Sequence, residues 1–125
     1  MATTAALASA RASSIASRAL GREGAAISGR VFLALAPEAG ARRIARRPRC
    51  VPVSGTNGKT TTTALIASAL GDGVAVNATG ANLLSGIYSA LVARPDATSA
   101  VLEVDEAALP SAVRALEPTV VALLN

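Results

Sequence analysis

The sequence contains no histidine and no tryptophan, one phenylalanine, one tyrosine and a single cysteine, Cys50. The missing histidines exclude Ser–His triads and histidine-ligated metals. A lone thiol forms neither an internal disulfide nor a cysteine-rich metal site, a usage that fits a reducing compartment. With so few aromatics, the core must be built from Ala, Val, Leu and Ile within the 51% of apolar residues. No apolar run reaches the roughly eighteen residues needed to cross a bilayer, and the expectation is a soluble protein. Any chemistry therefore falls to carboxylates, hydroxyls, backbone amides and Lys59.

A length of 125 residues fits one domain, enough to bury a core but small for an enzyme that handles two or three substrates. The net charge of +4 is unevenly spread. Residues 1–50 carry nine arginines against Glu23 and Glu38. Residues 51–125 carry Lys59, Arg94 and Arg114 against Asp72, Asp96, Glu103, Asp105, Glu106 and Glu117. A basic segment at 1–49 thus precedes a mildly acidic one at 50–125, and the two are physically different objects.

Residues 1–20 are rich in Ala and Ser, with Arg11 and Arg18 and no acid. That composition resembles an organelle transit peptide, while the continuous apolar stretch of a secretory signal is missing. A frayed or helical terminus of an Ala- and Arg-rich chain is the plainer alternative. Residues 31–36 form a short apolar run followed by Pro37, a residue suited to the first turn of a helix. That helix is expected to reach about Arg47 and to stop at Pro48. It would set Arg42, Arg43, Arg46 and Arg47 on one side. Such a patch can meet anionic lipid headgroups or nucleic acid. Without interleaved aromatics or a nucleic-acid motif it reads as a solvated face, and no nucleic-acid partner is expected.

From Cys50 onward, strand and helix signals alternate. Cys50–Val53 reads as a strand, and Lys59–Leu70 as a helix whose apolar face is Ala64, Leu65, Ile66, Ala67 and Leu70. After the turn Gly71-Asp72-Gly73, Val74–Val76 is a second strand. Gly80–Ala93 is helical in pattern through Leu83, Leu84, Ile87 and Leu91. Ser99–Val104 is a third strand, Ala107–Leu116 a helix and Thr119–Leu124 a fourth strand. The alternation implies an α/β fold with a parallel sheet and right-handed crossovers. Ligands of such sheets bind at the carboxyl ends of the strands, and the sequence stops there, at Leu124-Asn125. The expectation is a truncated domain.

Between the first strand and the first helix of this half runs Ser54-Gly55-Thr56-Asn57-Gly58-Lys59-Thr60-Thr61. Gly55 and Gly58 allow a tight turn whose N–H groups converge on phosphate oxygens. The helix N-terminus that follows favours the same anion. Lys59 can reach the β and γ phosphates, and the Thr60 hydroxyl can ligate Mg²⁺. The general phosphate loop carries another glycine where Val53 stands, so this is the shorter Gly-x-x-Gly-Lys-Thr form. A bare turn is the competing reading. The strand before the loop and the helix after it favour ATP with Mg²⁺.

Gly55-Thr56-Asn57-Gly58-Lys59-Thr60-Thr61 resembles the ATP loop of the Mur ligase family, whose members join amino acids or ammonia to carboxylates through an acyl-phosphate. Three further stretches are Thr60-Thr61-Thr62-Thr63, Thr79-Gly80-Ala81-Asn82 and Leu102-Glu103-Val104-Asp105-Glu106-Ala107. These are similar to stretches of the MurT branch of that family, the ATP-using subunits of lipid II isoglutaminyl synthases. Gly29-Arg30-Val31 and Leu35-Ala36-Pro37 upstream are similar to the same branch. The resemblance implies that residues 50–125 are the first half of a P-loop NTPase-like Mur ligase central domain. It implies that Gly55 to Thr61 bind ATP, that Lys59 is the catalytic cation, and that Thr60 and Glu103 hold Mg²⁺. Asn125 would open a nucleotide-contacting loop. Asn77, Thr79 and Asn82 would approach the acceptor substrate, with turn formation and capping as the alternative. Asp105 and Glu106 stand where most Mur ligases have Ser-Ser, as charges behind the metal site or as helix N-terminal charges favoured by the dipole.

By that resemblance the whole enzyme would use Mg-ATP to activate the α-carboxyl of D-glutamate in the lipid II stem peptide. Ammonia from a partner glutaminase would then give D-isoglutamine, in the cytoplasm at the inner face of the membrane. One alternative is another Mur-type amide ligase, a folylpolyglutamate or muramyl-peptide enzyme; Asp105-Glu106 weighs against it. The other is a non-catalytic nucleotide-binding fragment, which the terminus at Asn125 favours. A Mur ligase would continue with the rest of the central domain and a C-terminal domain that clamps ATP. MurT proteins also carry a four-cysteine zinc ribbon, for which this sequence has only Cys50.

Overall fold

The alternating segments of the second half assemble into a four-stranded sheet in which every pairing is parallel. The computed structural model describes residues 4–9, 12, 27–36, 38–77 and 80–125. Its elements are α1 (Ile27–Leu35), α2 (Glu38–Ala45), β1 (Arg49–Gly55), α3 (Lys59–Leu70) and β2 (Val74–Val76). They continue with α4 (Leu84–Ala93), β3 (Ser99–Val104), α5 (Leu109–Leu116) and β4 (Ala122–Leu124). Residues 4–9 are also helical. Pro37, Thr79 and most of the Ala/Ser-rich segment at 1–20 lie outside the described residues.

The strand order is β2-β3-β1-β4. The step from β1 to β2 passes over β3 in one direction, and the next two steps run back. Right-handed crossovers then put α3 on one face and α4 and α5 on the other. Successive residues of a strand point to opposite faces. Cys50, Ala75, Ala100, Leu102 and Val104 accordingly join Ile87, Tyr88, Leu91, Val92, Ala112 and Leu116 in the main core. Val53, Val101 and Glu103 alternate with them and face α3. Pro52 sits in a strand with neighbours on both sides, but β4 pairs with β1 only from Val53 onward. On that side Pro52 lies at an open edge, where proline is tolerated.

The apolar run at 31–36 belongs mostly to α1, which packs on α4. Phe32 is fully buried and stacks on Tyr88 with ring centroids 5.8 Å apart; burial of such a ring is worth about 2–3 kcal/mol. Gly29 lets the two helices approach so closely that a Cβ there would collide with the backbone of Ser85. The Ser89 hydroxyl closes the contact, accepting from the Gly29 amide at 2.7 Å and from the Ser28 hydroxyl at 2.9 Å.

Four expectations need correction. The arginines do not share one solvated face: Arg42, Arg43 and Arg46 are exposed, but α2 ends at Ala45 and Arg47 folds inward. Its guanidinium donates to the carbonyls of Ile44 at 2.6 Å and Leu91 at 3.4 Å, and burial lowers its pKa. Helix α3 has the expected bounds but a different face, with Thr63 buried, Ile66, Ala67 and Leu70 half-buried, and Ala64 and Leu65 exposed. The tight turn from β1 fixes the helix about its own axis before its apolar residues can choose. Helix α4 starts at Leu84 instead of Gly80, because the carbonyls of Ala81 and Asn82 accept hydrogen bonds from elsewhere; Leu83 is exposed. The last strand starts at Ala122 instead of Thr119. Glu117 in the left-handed region (φ 45°) and Pro118 keep the chain off the sheet until then.

Candidate functional site

Strand β1 runs straight into the glycine-bearing loop, and α3 opens at Lys59. Both glycines are required by geometry. Gly55 has φ 143°, and a Cβ there would strike the backbone of Leu124 in β4. Gly58 has φ 79°, a left-handed position immediately before the helix. Thr56, Asn57, Gly58, Thr60 and Thr61 are exposed. Among the described residues no side chain caps the start of α3, and its first intrahelical bond is the Thr62 amide to the Gly58 carbonyl at 2.9 Å. The amides before Thr62 therefore lack intrahelical acceptors and can take an anion's oxygens.

The Lys59 side chain is mostly buried and curls back over this loop. Its ammonium donates to the Gly55 carbonyl, lies 3.5 Å from the Thr56 carbonyl, and pairs with the Glu106 carboxylate at 3.8 Å. The two acids that follow β3 thus divide. Asp105 accepts from the Ala107 amide at 3.0 Å and shapes the turn into α5, whereas Glu106 reaches Lys59.

Glu103 lies beside Val53 in the sheet register, two positions before the loop's first glycine. It is 4% exposed, and among the described residues its carboxylate has neither a hydrogen bond nor an ion pair. The polar side-chain atoms fully sealed without a hydrogen bond among the described residues are Arg47 Nε, Ser54 Oγ and Thr63 Oγ1, and the Glu103 carboxylate is not one of them. By placement and oxygen chemistry, Glu103 on the α3 face next to an open phosphate-type loop with a hydroxyl at Thr60 fits a hard divalent cation.

The remaining candidates separate clearly. Asn77 is buried and fully engaged: its Oδ1 accepts from the Glu103 amide at 2.8 Å, while its Nδ2 donates to the carbonyls of Glu103 at 2.8 Å and Ala81 at 2.7 Å. Asn82 contributes its carbonyl, which accepts from the Asp105 amide at 2.9 Å. Asn125 is exposed and directly follows Leu124, the residue that pairs with Gly55. Sequence reasoning missed the packing of Leu124 against both loop glycines, and also two buried hydroxyls, Ser54 and Thr63, without partners among the described residues. Their flanking position around the loop was the available signal. A cleft of about 380 Å³ lined by Arg46, Arg47, Pro48, Leu116 and Glu117 lies at the opposite pole, by the strands' amino ends. It is remote from the loop.

Comparison with known proteins places these features in a family. Residues 53–125 match the Mur ligase middle domain. Over 115 residues the chain is 32% identical to the MurT subunit of the glutamine-hydrolyzing lipid II isoglutaminyl synthase of Staphylococcus aureus, covering 88% of this chain and 26% of that protein. It is 38% identical over 89 residues to the MurT subunit from Streptococcus pneumoniae, covering 66% of this chain and 20% of that one. The chain spans about a quarter or less of the length of the curated relatives it matches.

Proposed function

The chain belongs to the Mur ligase family, and we propose that it is the ATP-handling part of a MurT-like ligase that amidates the D-glutamate α-carboxylate of lipid II. The observation that carries the reading is the pairing of two features at one sheet edge. An open glycine loop with Lys59 lies beside Glu103, a buried carboxylate with no partner among the described residues. The names of the similar MurT subunits supply the substrate class and the idea of a glutamine-hydrolysing companion.

In this reading Mg-ATP supplies the phosphoryl group that makes the carboxylate reactive. The loop amides and the α3 N-terminus bind the phosphates, and Thr60 with Glu103 would hold the magnesium. Lys59 leaves the Gly55 carbonyl and Glu106 to neutralise the β and γ phosphates. The carboxylate oxygen accepts the γ-phosphoryl group as ADP departs. Ammonia from the glutaminase then attacks the carbonyl carbon, loses a proton, and phosphate leaves with the former carboxylate oxygen. In the same proposal the reaction takes place in the cytoplasm, with lipid II met at the membrane's inner face; no helix among the described residues is long and apolar enough to cross a membrane.

The test is amidation of lipid II in the presence of ATP, glutamine and the glutaminase subunit. The whole ligase carrying this sequence should form isoglutaminyl lipid II, its Lys59→Ala variant should not, and the 125-residue chain alone is expected to be inactive. Undiminished product with Lys59→Ala would sink the assignment.

A further inference from the structure

Strand β2 is short, and its ladder with β3 ends at Val76 opposite Val101. Glu103 lies two residues beyond that end, where the backbone of β3 has no strand beside it on the β2 side. Asn77 fills the gap with its side chain. Its carboxamide has the donor and acceptor pattern of a peptide group, and it grips both the amide and the carbonyl of Glu103 at 2.8 Å. Burial protects the contact from competing water. On the other side Glu103 is held by its register with Val53 in β1. Glu103 is therefore fixed from both flanks, while its own carboxylate has no partner among the described residues.

We infer that Asn77 is a positioning residue of the proposed magnesium site, fixing the direction in which the Glu103 carboxylate leaves β3 toward the phosphate loop. The inference rests on the reading of Glu103 as a magnesium ligand and adds what holds that ligand still. Removing a group that orients a metal ligand typically costs on the order of 10–100-fold in metal affinity or activity. A purely structural role is the rival account, because the third bond of Asn77, to the Ala81 carbonyl, also fastens the loop that follows β2.

The experiment measures binding of a fluorescent ATP analogue during a Mg²⁺ titration, with the melting temperature recorded for every variant. Asn77→Ala is expected to raise the half-saturating Mg²⁺ concentration about tenfold or more, in the same direction as Glu103→Gln. Its affinity for the nucleotide without Mg²⁺ should stay within about twofold of wild type, because the loop amides and Lys59 are untouched. Gly80→Ala strains the same loop at φ 81° without touching Glu103. It should lower the melting temperature and leave the Mg²⁺ requirement unchanged. Should Asn77→Ala fail to fold, Asn77→Gln keeps the carboxamide but displaces it by one methylene, and it should shift the Mg²⁺ requirement in the same direction. An unchanged Mg²⁺ requirement in the folded Asn77 variant, or an equal shift in Gly80→Ala, overturns the inference. Wild-type binding that ignores Mg²⁺, or that Glu103→Gln leaves unaltered, overturns the reading of Glu103 itself and this inference with it.

Discussion

The loops after β1 and β2 leave the sheet at the same edge, and both are short, polar and glycine-containing. In the first, the threonines, Asn57 and Gly58 face solvent, the helix start has no side-chain cap, and the backbone amides stay available. In the second, Asn77 is buried with three hydrogen bonds, and the carbonyls of Ala81 and Asn82 are already accepting. The first sequence reads as a phosphate loop, and the second as either an acceptor contact or a turn-forming stretch. What separates them is whether hydrogen-bonding capacity is already taken up inside the protein. An open group can meet a ligand, whereas a satisfied one such as Asn77 holds something else in place.

The largest effect expected from this contrast is at Lys59. Lys59→Ala should reduce nucleotide affinity and turnover on the order of 100-fold or more, since it removes the cation of the open loop. Equilibrium binding and amidation rates measure this. A change below about twofold would mean that the first loop is no more a ligand site than the second. Next comes Gly58→Ala. The left-handed φ of 79° should cost about 1–2 kcal/mol, although the added methyl has room, its nearest neighbour being Leu124 at 3.7 Å. An unaltered thermal melt would show that the open loop relaxes freely into another turn.

A reference remote from both loops is Cys50, near the start of β1, whose thiol is pushed up to about 11 by burial. The folded state keeps its proton where the unfolded chain has lost it, so stability should fall as pH rises from about 9 toward 11. The slope is at most about 1.4 kcal/mol per pH unit from this group. Burial also raises the Tyr88 pKa, so Cys50→Ala should reduce the alkaline loss without abolishing it. Melting curves from pH 8 to 11 decide it, and identical slopes in the two proteins would refute it.

Smaller still is Glu106→Gln, which frees Lys59 from its ion pair. Nucleotide affinity should rise a few-fold at low salt, and the gain should fade at high salt because Glu106 is half exposed. Equal affinity at both salt concentrations would make the pair incidental. The smallest change belongs to Asn82→Ala. The carbonyl of Asn82, not its side chain, ties the second loop to Asp105, and stability should stay within about 0.5 kcal/mol. A larger loss would show that the side chain itself helps to hold the loop.

Much of the fold was legible because its signals are local. Lys59–Leu70, Val74–Val76 and Ser99–Val104 have the bounds expected from periodicity and turn residues. The loop was legible because two glycines, a lysine and a threonine at fixed spacing describe a backbone shape. The start of α4 was not, because Ala81 and Asn82 are withheld from the helix by partners distant in sequence, Asn77's side chain and Asp105. Neither was the inward turn of Arg47, which joins the local Ile44 carbonyl at 2.6 Å to the Leu91 carbonyl 44 residues away at 3.4 Å. Asn77 read equally well as a substrate contact or a turn former until its partners were visible.

By itself, the sequence determined the parallel α/β order and the position of an anion-accepting loop, since hydrophobic period, glycine placement and helix starts act over a few residues. Only the tertiary structure decided which polar groups remain free. The sheet order brings β3 beside β1, setting the Glu103 carboxylate next to the loop, and the short β2 leaves a gap that Asn77 closes. A hydrogen bond is satisfied or open only in three dimensions, because its partner can come from any part of the chain.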